Sequence, residues 1–336
     1  MTPGPSVLVV GYGSIGRRHL ENLRTLGVSR LSLFRTGRGS LEPGETGWFD
    51  LFFDLKEALS RKPDAVVVAN PTSLHLETAM AAAEAGCALL IEKPVSHSAE
   101  RLAELAGLVK KRRLPVMVGY QFRLHPGLLA VRRWIREGRL GAPVSLDAHW
   151  GEYLPGWHRW EDYRKGYSAR TDLGGGVVLT LSHPFDYLRW LGGEVDRLSA
   201  VTGNRSGLEV DAEDTAAVVL RFASGAIGTV TLNYTERPAA HFLRIVGRKG
   251  TATWDAETGC AVFTDSETGA AERFEPDPTF ERNTMFLDEM RNFLECVEGR
   301  ATPVCSLEDG VRALEIALAV KRASRDGKET DAYGWI

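Results

Sequence analysis

Four cysteines in 336 residues are too few and too scattered for cysteine chemistry to organise this chain. Cys87, Cys260, Cys296 and Cys305 form no C-x-x-C pair and have no companion histidines at zinc-ligand spacing, which argues against a metal knuckle or a dithiol redox motif. Thiols in a reducing cytosol are the simple reading. Excess charge of one sign is also lacking. With 41 Lys and Arg against 44 Asp and Glu the formal net charge is -3, so the concentrated basic surface that nucleic acids and anionic membranes require is not expected. The basic run Lys110-Lys111-Arg112-Arg113 falls at a predicted helix end, where cations suit the helix dipole. Long apolar runs are missing too: those at 65–69 and 88–91 are strand-length, far below the roughly 20 residues that cross a bilayer. Ahead of Val7 stands a short Pro/Gly leader with no charged region, apolar stretch or cleavage site of a secretion signal. The expectation is a cytoplasmic protein with no nucleic-acid or membrane partner and no metal.

What is present is ample core material, 43% hydrophobic against 25% charged residues, in a chain longer than one hydrophobic core usually supports. Over the first 120 or so residues, β-rich apolar runs at 7–10, 31–34, 65–69, 88–91 and 116–119 alternate with helical patterns. The helices read at 15–26, closing on Gly27, at 74–85, closing on Gly86, and at 98–113, ahead of Leu114-Pro115; Asp54 reads as the N-cap of a shorter one. This alternation predicts an α/β fold with a doubly wound parallel sheet. After Arg123 the pattern changes to one helix at 126–137, a long aromatic loop, and strands joined by hairpin turns at Ser224-Gly225 and Lys249-Gly250. A second α/β domain with an open, largely antiparallel sheet is expected, faced by the helix after Gly174-Gly175-Gly176 and by helices near 283–298 and 307–324. The boundary is set between 1–122 and 123–336.

Gly11-Tyr12-Gly13-Ser14-Ile15-Gly16 directly follows an apolar strand and opens a helix, the context in which G-x-G-x-x-G signifies dinucleotide binding. Gly11 permits the tight turn, Gly13 lets the backbone approach a pyrophosphate, Gly16 allows close helix–strand packing, and the helix start offers free N–H groups. Beyond the second strand, 19 residues after Gly16, the sequence has Arg35-Thr36-Gly37-Arg38 and no carboxylate for the adenosine ribose. An acidic side chain there would repel a 2′-phosphate and a guanidinium would pair with it, so NADP(H) is expected in preference to NAD(H). Stacking of Arg35 on adenine without a phosphate is the alternative.

Three more segments fall at the carboxyl ends of predicted strands, where such sheets bind ligands: Asn70-Pro71-Thr72 with His75, Glu92-Lys93-Pro94, and Gln121-Phe122-Arg123. Together with Gly174-Gly175-Gly176 leading to His183 and Asp186, the series resembles the glucose-fructose oxidoreductase, inositol dehydrogenase and MocA (Gfo/Idh/MocA) family over essentially the whole chain. The resemblance implies a nicotinamide-dependent oxidoreductase whose N-terminal domain holds the dinucleotide through these loops, with Gln121 beside both cofactor and substrate. It implies that Lys93 orients the reacting hydroxyl and lowers its pKa, that His183 is the general base, and that the Lys93-Pro94 bond is cis. Imidazole suits the base, because deprotonating a carbinol as its hydride leaves needs a group titrating near neutrality. The C-terminal domain would bind substrate and form a homodimer or homotetramer, since an open sheet exposes a face that must be covered.

On one continuous helix Thr180, His183 and Tyr187 would share a face, with Asp186 adjacent in a supporting hydrogen-bond or salt-bridge role and Pro184 disturbing the helix near its start. Relatives carry an Asp shortly before the histidine, whereas this chain reads Leu179-Thr180-Leu181-Ser182-His183; a Thr can hydrogen-bond a hydroxyl but cannot hold charge against an imidazolium. The loop at 152–164, with Trp157 and His158, packs aromatics between charges, which suits sugar faces and hydroxyls. Arg123, Lys165 and Arg170 are candidates to meet a carboxylate or phosphate, so an anionic or nucleotide-linked sugar joins the sugar, cyclitol and sugar-acid classes. His19, His75, His97, His149 and His241 read as structural or cofactor-proximal. Two other readings stay open: a tightly bound cofactor that cycles within one sugar-modifying or glycoside-cleaving turnover, and a regulator that binds dinucleotide and sugar without chemistry.

Overall fold

A computed structural model describes residues 4–36, 47–157 and 162–334. The chain divides into two compact units, 1–121 with 281–311, and 122–280 with 312–336.

The first unit is built on a parallel six-stranded sheet of order β3-β2-β1-β4-β5-β6. The strands are β1 (Ser6–Val10), β2 (Arg30–Phe34), β3 (Asp50–Phe52), β4 (Ala65–Val68), β5 (Ala88–Ile91) and β6 (Val116–Val118). Between them run helices α1 (Ser14–Thr25), α2 (Leu55–Ser60), α3 (His75–Ala85) and α4 (Leu102–Arg112). Reversal of strand order at β1 is the doubly wound arrangement, and it opens a crevice beyond the carboxyl ends of β1 and β4. All four residues of β4 and of β5 are buried, as expected for parallel strands covered on both faces, and each fully buried Val or Leu contributes roughly 1.5–3 kcal/mol. Asp54 caps α2 by accepting from the Glu57 N–H. The short strand β3 is not expected from the sequence.

The second unit carries a nine-stranded sheet of order β14-β13-β12-β11-β7-β10-β9-β8-β15, antiparallel except where β7 (Pro143–Gly151) pairs with β10 (Ile227–Asn233). The others are β8 (Val195–Gly203), β9 (Thr215–Phe222), β11 (Ala240–Gly247), β12 (Gly250–Asp255), β13 (Ala261–Asp265), β14 (Ala271–Phe274) and β15 (Thr330–Asp331). Buried and exposed residues alternate strictly along β9 and β10, so one face of the sheet makes the core and the other presents Val201, Val219, Ile227 and Phe242 outward. Helices α5 (Pro126–Arg136), α6 (Val177–Thr180) and α7 (His183–Gly192) belong to this unit.

Helix α8 (Arg282–Val297) returns to the first unit, where Met290 and Phe293 join Val7, Leu20 and Leu23 in one apolar cluster. This corrects the expectation that the helix faces the second sheet. An apolar helix face is visible in sequence, but the sheet it covers is not. Helix α9 (Leu307–Asp326) belongs to the second unit from Arg312 onward, and there the Ser324 hydroxyl accepts from the Thr202 N–H of β8. Among the described residues no helix is long and apolar enough to cross a membrane, and no group of three or more His, Cys, Asp or Glu could hold a metal ion.

Candidate functional site

In the first unit, β1 runs into Gly11, which leaves room for glycine alone: its φ is +107°, and a Cβ at this position would lie 2.5 Å from the Ala69 carbonyl oxygen. Gly16, one turn into α1, is equally constrained, since its Cβ would stand 2.2 Å from the Gly11 carbonyl oxygen. Gly13 differs: a Cβ there meets nothing within 4 Å. It is the N-cap of α1 and supplies no side-chain acceptor, so this helix start with Ser14 and Ile15 carries no side-chain cap. Tyr12 lies beneath two guanidinium groups, that of Arg17 at 4.5 Å and that of Arg35 at 5.9 Å from its ring centre. Arg35 follows β2, is buried, and donates its backbone N–H to the Phe52 carbonyl, while Thr36 beside it is exposed. Arg38, also expected at the cofactor, lies outside the described residues.

Beyond β4, Asn70 donates to the Thr78 hydroxyl at 2.8 Å, and its buried Oδ1 has no partner among the described residues. Pro71 leads into a single 3-10 turn over Thr72–Leu74. His75, first residue of α3, spans two carbonyls at 2.9 Å each, those of Pro94 and Asn70, and so ties this loop to the one after β5. Burial, against those carbonyls, pulls its pKa below the ordinary value.

Glu92 closes β5 and is buried. One carboxylate oxygen stands 2.7 Å from Nε2 of His19 on α1, and the other accepts the Lys93 backbone N–H at 3.2 Å. The Lys93-Pro94 bond is cis. Behind this carboxylate, Gly119 leaves no spare room, since a Cβ there would lie 3.2 Å from Oε2. Gln121, buried, opens the 3-10 turn after β6. Sequence reasoning assigns His19 no part in this arrangement, although its place three residues after Gly16 puts it on the same face of α1.

In the second unit, α6 ends at Thr180 and α7 starts at His183. The single helix expected to carry Thr180, His183 and Tyr187 on one face is therefore two helices. Pro184 in the first turn of α7 has no N–H to extend a helix arriving from upstream, which makes His183 a starting residue. Thr180 is buried. His183 is buried, edge-on to Phe122 at 4.7 Å and tilted on Trp150 at 5.5 Å. His241 stacks flat on the same Trp150 at 4.2 Å, and its Nε2 is 3.3 Å from the Tyr187 hydroxyl. Tyr187 is thus enclosed, and burial raises its pKa well above the ordinary value.

Arg123, a candidate to meet an anionic group, pairs with Asp186. The two buried side chains meet at 3.0 Å (Nε to Oδ2) and 2.7 Å (Nη2 to Oδ1), a bidentate pair. His125 accepts from the Trp254 indole and the Gly127 N–H at Nδ1, which fixes that nitrogen as the bare one; burial pulls its pKa down to about 4. Trp157 stands edge-on to Tyr234 at 5.6 Å, and its buried indole N–H has no partner among the described residues. His158 lies outside them.

Comparison with known proteins gives two matches to one family. The family described as oxidoreductases with an NAD-binding Rossmann fold matches residues 6–120, and the Gfo/Idh/MocA C-terminal domain matches 128–253. The chain belongs to the Gfo/Idh/MocA oxidoreductases. It is 27% identical over 334 residues to scyllo-inositol 2-dehydrogenase (NAD(+)) of Bacillus subtilis, spanning 95% of this chain and 94% of that one. Myo-inositol 2-dehydrogenase of Thermotoga maritima is 26% identical over 94% of this chain and 95% of its own. Among solved structures, levoglucosan dehydrogenase in complex with NADH matches with a TM-score of 0.87 at 19% identity, covering 98% of this chain and 99% of that one. The WlbA dehydrogenase from Bordetella pertussis in complex with NADH and UDP-GlcNAcA matches with 0.83 at 23%, covering 98% of each. At those identities the structural matches establish the fold. The residues of this Gfo/Idh/MocA chain fit a dinucleotide on their own account, with open space at Gly13, a helix start lacking a side-chain cap, and the unsatisfied Oδ1 of Asn70 beside it in the sheet.

Proposed function

We propose that this oxidoreductase moves a hydride between a nicotinamide and a carbinol or keto carbon of a sugar, cyclitol or sugar acid. The observation that carries the reading is the Gly11–Gly16 turn. Two of its glycines are fixed by backbone contact and the third opens onto free space, in a chain matched over nearly its whole length by proteins named as cyclitol dehydrogenases. A bound nicotinamide dinucleotide supplies the hydride acceptor in one direction and the donor in the other. Residues 1–122 are read as the part that holds it, through the loops at Gly11, Arg35, Asn70, Glu92 and Gln121, and 123–336 as the part that binds substrate and assembles the oligomer.

His183 takes the carbinol proton and returns it in the reverse direction, and Lys93 stabilises the oxygen as charge develops on it. Burial of His183 against Phe122 and Trp150 excludes water from that exchange. Trp157 offers an indole face and an unused N–H, which suit a sugar ring and a hydroxyl. Because Asp186 already neutralises Arg123, the carboxylate of a sugar acid would draw on another cation. Arg35, in a sequence stretch 34–38 that holds no carboxylate, supports NADP(H). The outward Val201, Val219, Ile227 and Phe242 support a homodimer or homotetramer, and the free thiols a reducing cytosol.

The test is a fluorescence titration with NADPH and with NADH, run beside an R35D variant, followed by a polyol screen with wild type and H183A. Tighter NADPH binding that reverses in R35D supports the phosphate role of Arg35, and tighter NADH binding discards it. Failure to bind either nucleotide overturns the oxidoreductase reading, and turnover that persists in H183A overturns the role of His183.

A further inference from the structure

Helix α8 carries a second carboxyl group into the interior of the first unit. Glu289 is fully buried, and neither of its oxygens has a hydrogen-bond partner among the described residues. One turn before it on the same helix, Phe286 packs edge-on against the His19 ring at 6.3 Å and lies under the Arg18 guanidinium at 4.5 Å. One residue and one turn after it, Met290 and Phe293 enter the apolar core. Glu289 therefore sits where α8 meets the His19–Glu92 pair.

The two carboxyl groups are provided for unequally. Glu92 spends one oxygen on His19 and the other on the Lys93 N–H, whereas Glu289 has neither. Two negative charges in so dry a setting repel strongly, and the proton goes to the group with less to stabilise its anion. The surrounding charges agree. Burial and then the charge of Glu92 push Glu289 well above the carboxylate range, while His19, Lys93 and His75 act on Glu92. Arg18 of α1 is a further charged group at this contact, where the charges of Arg282 at the start of α8 and of Glu92 are felt.

We propose that Glu289 is a positioning residue that works as a neutral carboxylic acid, leaving Glu92 as the sole anion of the cluster so that its two oxygens stay committed to His19 and to the Lys93 backbone. The proposal rests on the reading of this unit as the nucleotide-binding one. When Glu289 loses its proton, a second anion competes for His19, whose Nδ1 has no partner among the described residues, and the loop bearing Lys93 loosens.

Sign follows from linkage. A carboxyl whose folded pKa is raised contributes stability that is complete below its unfolded pKa and is lost as pH rises through the folded value. Three measurements on the full chain test this. The infrared spectrum of wild type near pH 8, minus that of E289Q, should show the carbonyl stretch of a protonated carboxylic acid. The melting temperature of wild type should fall more steeply than that of E289Q as pH rises from the ordinary carboxylate range toward the raised folded value, so that the variant's relative stability grows with pH. As pH rises through the folded value NADH affinity of wild type should fall about fivefold or more, while E289Q, permanently neutral, holds its affinity. Should E289Q not fold, E289M serves as the spectroscopic blank and the pH-insensitive comparator. No carboxylic acid band, or an E289Q protein that melts below wild type by the same margin at every pH, overturns the neutral-acid assignment. A band with identical NADH profiles in both proteins overturns the positioning role. Absence of NADH binding by wild type at any pH would instead defeat the nucleotide reading, and would leave the infrared and melting results to decide the state of Glu289.

Discussion

The imidazole of His19 and the carboxylate of Glu92 meet at 2.7 Å, 73 residues apart in sequence and both buried. Burial alone would raise the pKa of Glu92, but the hydrogen bond and charge of His19, helped by Lys93 and His75, hold it below the ordinary value. Replacing His19 by Ala leaves that carboxylate buried without its partner, a change that costs about 3–5 kcal/mol. Chemical denaturation of H19A should show a loss of that order. For a carboxyl whose folded pKa is depressed, stability is present above the unfolded pKa and lost as pH falls through the folded one. H19A should therefore differ from wild type most near neutrality and least in acid. An equal difference at all pH values would mean that the pair contributes packing alone.

The bidentate Arg123–Asp186 pair makes a second prediction in the other unit. Removing one partner of a buried pair strands a charge, at about 3–5 kcal/mol, whereas replacing both with apolar residues of similar volume is often neutral. D186L should melt well below wild type, and the double variant R123M/D186L should recover most of the loss. Binding of NADH, read in the first unit, should change little in either. If R123M alone is as stable as wild type, the pair is not carrying its charge out of water.

Much of the first unit is legible in the sequence because its strands are short apolar runs bounded by helix stops such as Gly27 and Gly86, both with positive φ. β3 is not, since three residues carry no periodicity. The break between Thr180 and His183 has a readable signal in Pro184, against which the i, i+3, i+7 spacing suggests one unbroken helix. Glu289 has none. It stands 197 residues after Glu92, and its meaning depends on which sheet α8 covers, a tertiary choice that local pattern does not encode. The pairing of Arg123 with Asp186 is hidden for a related reason, because its partner is 63 residues away.

His125 gives a prediction on the acid side. Its Nδ1 accepts two hydrogen bonds, so protonation there must break the cap on Gly127 and the bond from Trp254. The drop from 6.5 to about 4 corresponds to about 3 kcal/mol. An unfolded chain takes up this proton below its ordinary pKa while the folded one refuses it, so that stability drains away as pH falls from 6.5 to about 4. H125N keeps an N-cap acceptor and does not titrate. Its unfolding free energy should fall less than that of wild type across this window, and parallel curves would show that His125 is protonated in the folded protein without penalty.

The nucleotide turn separates steric need from ligand need at two glycines three residues apart. At Gly16 a methyl group would overlap the Gly11 carbonyl at 2.2 Å, backbone against backbone, which neither strand nor helix can relieve by a rotamer change. G16A should therefore lose stability whether or not nucleotide is present. At Gly13 a methyl group meets no protein atom, and the backbone φ of -76° suits alanine. G13A should fold with a melting temperature close to that of wild type, and its unfolding free energy should shift by no more than about 0.5 kcal/mol. On the proposed reading the space a methyl group would fill admits a pyrophosphate, so NADH affinity should fall by about tenfold or more, equivalent to about 1.4 kcal/mol. The pair of variants is informative because the two effects separate. G13A with normal stability and normal NADH affinity would mean that the open side of this turn faces something other than the dinucleotide, whereas normal stability with lost affinity assigns the free space at Gly13 to the ligand.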